Sequence, residues 1–281
     1  MNKTVLITGC SSGIGRATAE SFLEDEWTVY ATARDTDDVT DLAEMGAATA
    51  ELDVTDARDV ERVVDRVIDD QGRIDCLVNN AGTGQFGPLE DVPTDALEDQ
   101  FDVNLNGPHR LVREVLPHMR DREEGTIVNV SSAVGLLAVP GQGAYSASKF
   151  ALEGYSDALR NEVADHGIEV VLVEPGPVAT NFEARVADSR DRLERSGAYE
   201  QYYEMMEDRR DVDASETFGM EPARVGDVIK DAASVTDPDP RYPSGPSRGR
   251  VPTVDCSRVA GATACGRCSG NSPPSRHDRG P

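Results

Sequence analysis

Hydrophobic residues form two alternating patterns along the first 240 residues. Apolar runs at 4–8, 27–33, 47–54, 74–80, 125–132 and 168–176 predict strands that are buried on both faces. Helices are predicted over 16–26, 56–72, 95–119 and 144–165, and apolar positions 60, 63, 64, 67 and 68 form one helical face. Such an alternation predicts an α/β fold, a doubly wound parallel sheet with helices on both faces. The ligand site is then expected at the carboxyl ends of the strands.

A glycine-rich turn follows the first strand, and its residues 8–15 read TGCSSGIG. Because glycine has no Cβ, backbone in such a turn can approach a pyrophosphate closely. The helix that begins near Gly13 would present free N–H groups and a positive dipole end to the phosphates. A glycine-rich turn alone is weak support, since turns are rich in glycine. Its position between the first strand and the first helix predicts a dinucleotide site.

Tyr145 and Lys149 form a second candidate feature, four residues apart on one face of a predicted helix. A phenol has a pKa near 10, and a neighbouring ammonium favours the phenolate, which permits acid–base work. A Tyr-x-x-x-Lys pair on a helix is usually structural when it stands alone. However, Lys149 is one of three lysines in a chain with 25 arginines, and a compact ammonium suits this role better than a planar guanidinium.

Several motifs occur together in one order: TGxxxGxG, the sequence Asn79-Asn80-Ala81-Gly82, YxxxK at 145–149, and PGxxxT at 175–180. In this combination the chain resembles the short-chain dehydrogenase/reductase family, in its compact single-domain branch with a Rossmann-type sheet. The resemblance extends over roughly residues 3–245. Local sequences such as VYATARD and VEPGPVATNF are similar to the hydroxysteroid and retinol dehydrogenase-like subgroup.

The resemblance implies an oxidoreductase that acts on CH–OH groups, with hydride transfer between a nicotinamide and a carbonyl or secondary alcohol. Ser132 would bind the substrate oxygen, and Tyr145 would donate or accept the proton. Lys149 would lower the pKa of Tyr145, and Asn104 would organise a water that relays protons to solvent. The implied catalytic residues are Asn104, Ser132, Tyr145 and Lys149.

The resemblance also implies the residues that contact the cofactor. Asp53 is expected to contact the adenine ring, with Val54 supplying backbone, and Thr180 to hold the nicotinamide carboxamide. The full expected set is Thr8, Gly9, Ser11, Ser12, Gly13, Ile14, Gly15, Arg34, Asp53, Val54, Asn80, Ala81, Gly82, Tyr145, Lys149, Pro175, Gly176, Val178 and Thr180.

The choice between NADP and NAD depends on the end of the second strand. An acid there would bind the ribose 2′-hydroxyl, whereas an arginine accommodates a 2′-phosphate. This chain has Arg34 at that position, with Asp35 one place later, and Ser12 in the turn can also bind a phosphate. NADP(H) is therefore favoured, with NAD as the alternative, although an arginine in a loop is often a solvated charge.

The chain is strongly acidic, with 52 acidic and 28 basic residues and a net charge of −24. This charge repels nucleic acids and anionic membranes, so neither is an expected partner. Abundant acids with few lysines are typical of halophilic cytoplasmic proteins, because molar salt screens charges within about 3 Å. An acidic protein of ordinary cytosol is the alternative. The absence of a signal peptide and of an apolar run of about 18 residues favours a cytoplasmic location.

No metal site is predicted. The histidines at 109, 118, 166 and 277 lack ligand spacing, and the CxxC at 265–268 has no second pair. Cys10 and Cys76 are interpreted as small packing residues rather than nucleophiles.

Two domain regions are expected: a dinucleotide-binding domain over 1–245, with a substrate lid at about 181–221, and a tail over 246–281. The lid's aromatic and methionine side chains either line a lipophilic pocket or pack an ordinary helix. Residues 241–281 hold seven arginines and two aspartates without helical or strand periodicity, which predicts disorder or out-of-frame translation. A homo-oligomer is compatible with the family, although this C-terminus is atypical. The lid residues in question are Phe182, Tyr199, Tyr202, Tyr203, Met205 and Met206.

Two alternative functions remain open at this point. A non-catalytic dinucleotide-binding redox sensor or scaffold would typically lose the tyrosine or the lysine, both of which this chain keeps. A 3-oxoacyl-carrier-protein reductase would have to bind an acidic carrier, which an acidic enzyme repels. A small-molecule carbonyl compound or alcohol is the favoured substrate.

Overall fold

The structure is a computed structural model that describes residues 2–180, 182, 186, 189–208 and 219–245, without the side chains of 205–208. The predicted tail over 246–281 and much of the predicted lid, including the side chains of Met205 and Met206, lie outside the described residues.

A parallel sheet of seven strands, in the order β3-β2-β1-β4-β5-β6-β7, forms the centre of the described domain. The chain begins in the middle, winds to one edge, and returns to build the other half from β4. This topology confirms the predicted doubly wound sheet, with its switch point between β1 and β4. The strands are β1 (Thr4–Ile7), β2 (Thr28–Ala33), β3 (Ala48–Glu51), β4 (Cys76–Asn79), β5 (Gly125–Val130), β6 (Ile168–Pro175) and β7 (Arg241–Ser244).

Helices connect the strands and cover both faces of the sheet. The helix predicted over 95–119 is divided, because a single π-helical turn at Asp102–Asn106 separates two α-helices. Such turns insert a residue into the helix and are frequent at functional sites. The helices are α1 (Gly13–Glu24), α2 (Thr40–Glu44), α3 (Ala57–Gln71), α4 (Thr94–Phe101), α5 (Gly107–Arg122), α6 (Gly143–Val163), α7 (Glu200–Asp208) and α8 (Pro222–Ser234).

Two hydrophobic layers hold the sheet, one on each face. Alternate residues of β1 enter different layers: Val5 packs with α1, α2 and α8, whereas Leu6 packs with α3, α5 and α6. Each fully buried apolar side chain of this size contributes about 1.5–3 kcal/mol. The central strands are thus covered on both sides, as their apolar sequences predict.

Cys10 and Cys76 are both buried in the layer on the α1 side of the sheet. Burial raises the pKa of the Cys10 thiol to about 12, and that of Cys76 also rises, so both thiols are protonated at neutral pH. Within the described ranges, no three His, Cys, Asp or Glu side chains are arranged to hold a metal ion. The described helices include none that is long and apolar enough to cross a membrane.

Candidate active site

The glycine turn packs tightly against the loop that follows β4. Gly9 has a positive φ of 74°, and a Cβ there would lie 2.9 Å from the Cα atom of Ala81. A Cβ at Gly15 would collide with the carbonyl oxygen of Gly9 and with Nδ2 of Asn80. That same Nδ2 donates to the carbonyls of Thr8 at 2.8 Å and Gly9 at 3.1 Å. The glycines therefore permit this tight turn, and the hydrogen bonds from the Asn80 side chain stabilise it.

Thr8 lies beneath the turn and does not line the cleft above it. Its hydroxyl accepts hydrogen bonds from the backbone N–H groups of Asn80 and Ala81, each at 3.0 Å. It donates to the carbonyl of Val78 at 3.3 Å. The threonine thus joins the ends of β1 and β4, and its place in the site is structural support for the turn.

A cleft of about 820 Å³ opens at the carboxyl ends of the strands. The N-terminus of α1 faces it, and the first turn of this helix carries no acidic residue. Apart from Thr8, the whole expected cofactor set lines this cleft. Its glycine wall and helix N-terminus could hold a pyrophosphate, because backbone N–H groups and the helix dipole both favour an anion.

Two arginines near the turn differ in their availability. Arg34 is exposed at the cleft and makes no hydrogen bond or ion pair with other described residues. By contrast, Arg16 is ion-paired with Asp41 and donates to the carbonyl of Asp38 at 2.9 Å. The carboxylate of Asp35 accepts a hydrogen bond from a backbone N–H two residues later, at 2.9 Å. Among the described residues, Arg34 is therefore the cation at this end of the cleft without a hydrogen-bond or ion-pair partner.

Asp53 is partly buried in the cleft wall beyond the end of β3. Its Oδ1 accepts hydrogen bonds from the backbone N–H of Thr55 at 2.9 Å and from the Thr55 hydroxyl at 2.7 Å. These bonds fix the orientation of the carboxylate.

Tyr145 and Lys149 meet on one face of α6, in the wall of the same cleft. Nζ of Lys149 lies 5.8 Å from the Tyr145 ring centroid and donates to the carbonyl of Val130 at 2.8 Å. Burial lowers the pKa of Lys149 to about 8 and raises that of Tyr145 to about 12, an increase that a hydrogen bond with Ser132 partly offsets. The lysine charge was expected to lower the pKa of Tyr145, but in the folded protein the loss of solvent around the phenol has the larger effect.

Ser132 faces the cleft two residues after β5 ends. Its hydroxyl accepts a hydrogen bond from the backbone N–H of Val134 at 3.3 Å, which starts a short helical turn. The strand end thus brings Ser132 to the tyrosine.

Asn104 lies behind this wall, in the π-helical turn, and only 1% of its surface is exposed. Its side chain accepts from the N–H of Thr83 and donates to the Thr83 carbonyl and to Oγ of Ser148, each at 2.9 Å. Ser148 in turn donates to the carbonyl of Tyr145 at 2.8 Å. Asn104 therefore connects the loop after β4 with the helix that carries Tyr145, and it does not itself line the cleft.

Two phenylalanine rings lie beside Tyr145. The ring centroids of Phe86 and Phe182 lie 5.7 and 5.5 Å from that of Tyr145. Phe182 was among the predicted pocket residues, but Phe86 was not, because it belongs to no motif. Its one sequence signal is that it follows the NNAG sequence closely.

The predicted aromatic cluster of the lid divides in the structure. Tyr199 donates to Glu90 at 2.7 Å, and the buried Tyr203 donates to Asp91 at 2.6 Å. Tyr202 packs edge-on against Tyr203. These three tyrosines lie outside the cleft lining, so ordinary packing describes them better than pocket formation.

Comparison with known proteins agrees with this geometry. The family model for short chain dehydrogenases matches residues 3–191. The uncharacterized oxidoreductase YbbO of Escherichia coli K12 is 39% identical over 86% of each chain. A 3-ketodihydrosphingosine reductase of Bacteroides thetaiotaomicron is 37% identical over 86% of this chain and 87% of its own. Human 17-beta-hydroxysteroid dehydrogenase type 1 is 36% identical over 85% of this chain and 76% of its own.

Solved structures show the same architecture. A short-chain dehydrogenase from Streptomyces avermitilis superimposes with a TM-score of 0.76 at 37% identity, covering 87% of this chain and 88% of its own. A metagenomic short-chain oxidoreductase in complex with NADP gives 0.68 at 27% identity, covering 87% and 97%. The chain therefore belongs to the short-chain dehydrogenase/reductase family of oxidoreductases. Its similarity to a hydroxysteroid dehydrogenase confirms the predicted subgroup.

Proposed function

We propose that this protein is an NADP(H)-dependent oxidoreductase for a small or lipophilic carbonyl compound or secondary alcohol. One observation carries the proposal. Ser132, Tyr145 and Lys149 face the same cleft of about 820 Å³ that holds the glycine turn and Arg34 at its other end. A dinucleotide lying along this cleft would bring its nicotinamide to the tyrosine.

The residues of the cleft fit NADP(H). The N–H groups of α1 and the close backbone at Gly9 and Gly15 suit a pyrophosphate. Arg34, which has no partner among the residues that the structure describes, could bind a 2′-phosphate, and no acid occupies the end of β2, where a 2′-hydroxyl would need one. The NADP complex of the metagenomic relative supports this preference. NAD is the alternative cofactor.

When bound, NADPH supplies the hydride that reduces the substrate carbonyl carbon. Ser132 donates a hydrogen bond to the carbonyl oxygen, and Tyr145 gives its proton to that oxygen as negative charge develops there. The Lys149 ammonium stabilises the phenolate that remains. In the direction of alcohol oxidation, the same phenolate accepts the proton. Asn104 keeps the helix of Tyr145 in register with the loop after β4 through its bonds to Thr83 and Ser148.

Phe86 and Phe182 pack beside Tyr145, and the cleft lining also includes Val139 and Val186, with polar residues such as Gln142 and Arg192 among them. Such a surface suits the hydrocarbon part of a carbonyl compound. The similarity to a 3-ketodihydrosphingosine reductase and to a 17-beta-hydroxysteroid dehydrogenase supports a lipophilic substrate.

The test is NADPH oxidation in molar KCl against a panel of ketones and aldehydes. Tyr145→Phe should lower kcat at least about 100-fold, the usual contribution of a positioned acid, and leave the Kd for NADPH within about twofold. Tyr155→Phe is the matched control, since Tyr155 lies on the same helix but contacts His109 rather than the cleft. Activity of Tyr145→Phe within about tenfold of the parent would contradict the mechanism. If the parent and both variants bind NADPH but none of them turns over a substrate, the result would instead favour a redox sensor.

A further inference from the structure

A cluster of charged side chains lies behind Lys149 and joins α6, β6 and β7. Glu153, one helical turn after Lys149, and Glu174 of β6 are both buried. Nη2 of Arg241, from β7, lies 3.2 Å from Oε2 of Glu153, and its Nε lies 3.2 Å from Oε1 of Glu174. Asp157, a further turn along α6, lies 2.7 Å from the same Nη2. The Arg241 guanidinium thus lies within ion-pair distance of three carboxylates.

Glu153 is the charged group that acts on Lys149. The two side chains are four residues apart on one face of α6, and each is only 5% exposed. Both side chains pack against Gly135. A Cβ placed on that glycine would lie 3.3 Å from Cβ of Lys149 and 3.3 Å from Cγ of Glu153. The hydrogen-bond acceptor of Lys149 is the uncharged carbonyl of Val130. Burial lowers the pKa of Lys149, and the negative charge of Glu153 opposes that decrease.

We propose that Glu153 is a positioning residue, whose carboxylate keeps the Lys149 ammonium protonated beside Tyr145 while Arg241 holds that carboxylate in place. Its relevance to turnover rests on the function proposed above, but its effect on Lys149 does not. Removal of Glu153 would leave a buried amine with a carbonyl as its contact, and such an amine gives up its proton at a lower pH.

The remaining carboxylates around Glu153 share Arg241 with it. Glu174 is buried beside Glu153, and burial and this neighbour raise its pKa to about 7. The Asp157 carboxylate is shared between Arg241 and Arg160, whose Nη1 lies 2.6 Å away. Glu174 is therefore partly protonated near neutral pH, which weakens its attraction for Arg241 relative to that of Glu153 and Asp157.

The composition of the chain makes this proposal directly measurable. Lysine occurs at positions 3, 149 and 230, so protein labelled with ¹³C in lysine gives three Cε signals, and Lys149→Arg identifies the signal of interest. Titrating that signal in the full-length protein, with and without NADP, yields the midpoint for Lys149. We expect Glu153→Gln to lower the midpoint by at least about one pH unit, the low end for loss of a nearby opposite charge.

Two further variants separate the effect of the Glu153 charge on the Lys149 midpoint from the general effect of removing a charge from the cluster. Asp157→Asn removes the same charge from the same arginine, two turns from Lys149, and should leave the midpoint unchanged. Glu153→Asp retains the carboxylate and should restore most of the parent midpoint. Glu153→Gln should also shift the pH profile of kcat, with a smaller effect on KM.

A midpoint in Glu153→Gln that matches the parent within about 0.3 pH unit would overturn the proposal. So would an equal decrease in Asp157→Asn. If circular dichroism shows that Glu153→Gln does not fold, Glu153→Met takes its place, because a hydrophobic group of similar volume often substitutes well for a buried ion. For Glu153→Met, an unchanged midpoint or an equal decrease in Asp157→Asn would likewise overturn the proposal. Since the signal is read without turnover, an inactive protein does not obscure the result.

Discussion

Replacing Asn104 by alanine should weaken both the fold and the site, because one side chain joins three elements. The carboxamide makes three hydrogen bonds of 2.9 Å, two to the backbone of Thr83 and one to Ser148. It is almost completely buried, so water does not readily replace it. Asn104→Ala removes all three bonds and leaves a space between the loop after β4 and α6.

The size of the effect follows from these contacts. Each hydrogen bond contributes about 1 kcal/mol net, so the free energy of unfolding should decrease by about 3 kcal/mol. For a domain of this size, that corresponds to a decrease in Tm of roughly 6–12 °C. The kcat should also fall, because Ser148 and the Tyr145 carbonyl are hydrogen-bonded in the same chain of contacts.

Thermal unfolding followed by circular dichroism tests this expectation. The matched control is Asn106→Ala in the same π-helical turn, where the exposed carboxamide donates one bond of 3.1 Å to Asp102. That change should cost less than about 0.5 kcal/mol. If Asn104→Ala unfolds within about 2 °C of Asn106→Ala, the three bonds do not contribute about 1 kcal/mol each.

Three further predictions concern charge. Arg34→Ala should raise the KM for NADPH about tenfold through loss of a charge-assisted hydrogen bond and leave that for NADH within about twofold; an equal rise for both cofactors would contradict the role of Arg34. The folded-state pKa of Glu174 is raised from 4.5 to about 7, so the folded parent binds the extra proton between these values and loses stability as pH rises through them. Glu174→Gln lacks this loss, so its Tm relative to the parent should be higher at pH 8 than at pH 5, and equal differences at both would contradict the assignment. Because the net charge is −24, the Tm of the parent should increase from about 0.1 M to about 2 M KCl, and a decrease would oppose the halophilic interpretation.

The fold and the front of the site were predictable from the sequence because both depend on local patterns. Strands apolar on both faces, such as Val170–Val173 in β6, can be buried only in a covered parallel sheet. The glycines at 9 and 15 predict a turn that can come close to a pyrophosphate, and in the structure the Ala81 backbone and the Asn80 side chain also pack against this turn. Four-residue spacing on a helix likewise indicates that Tyr145 and Lys149 share a face.

The π-helical turn was not predictable, because its cause is tertiary. Residues 95–119 have a continuous helical pattern, and nothing in that pattern marks the extra residue of the π-helical turn at Asp102–Asn106. Only its contacts in the folded protein reveal it. It turns Asn104 towards Thr83 and Ser148, which come from distant parts of the chain. Phe86 was missed for a similar reason, since its contact with Tyr145 depends on the path of a loop without periodicity.

The charged cluster behind Lys149 shows the same division between local and tertiary causes. In the sequence, Glu153 and Asp157 are ordinary acids on a helix, and Arg241 belongs to the last described strand, close to a region of different composition. Only the pairing of β6 with β7, which sets Glu174 opposite Pro243 and places Arg241 two residues earlier, brings the guanidinium to both buried carboxylates. On the proposal made above, the proton affinity of Lys149 depends on β7, the last strand of the described residues. A change that displaces β7 should alter the pH dependence of the reaction even though every residue in contact with substrate and cofactor is intact.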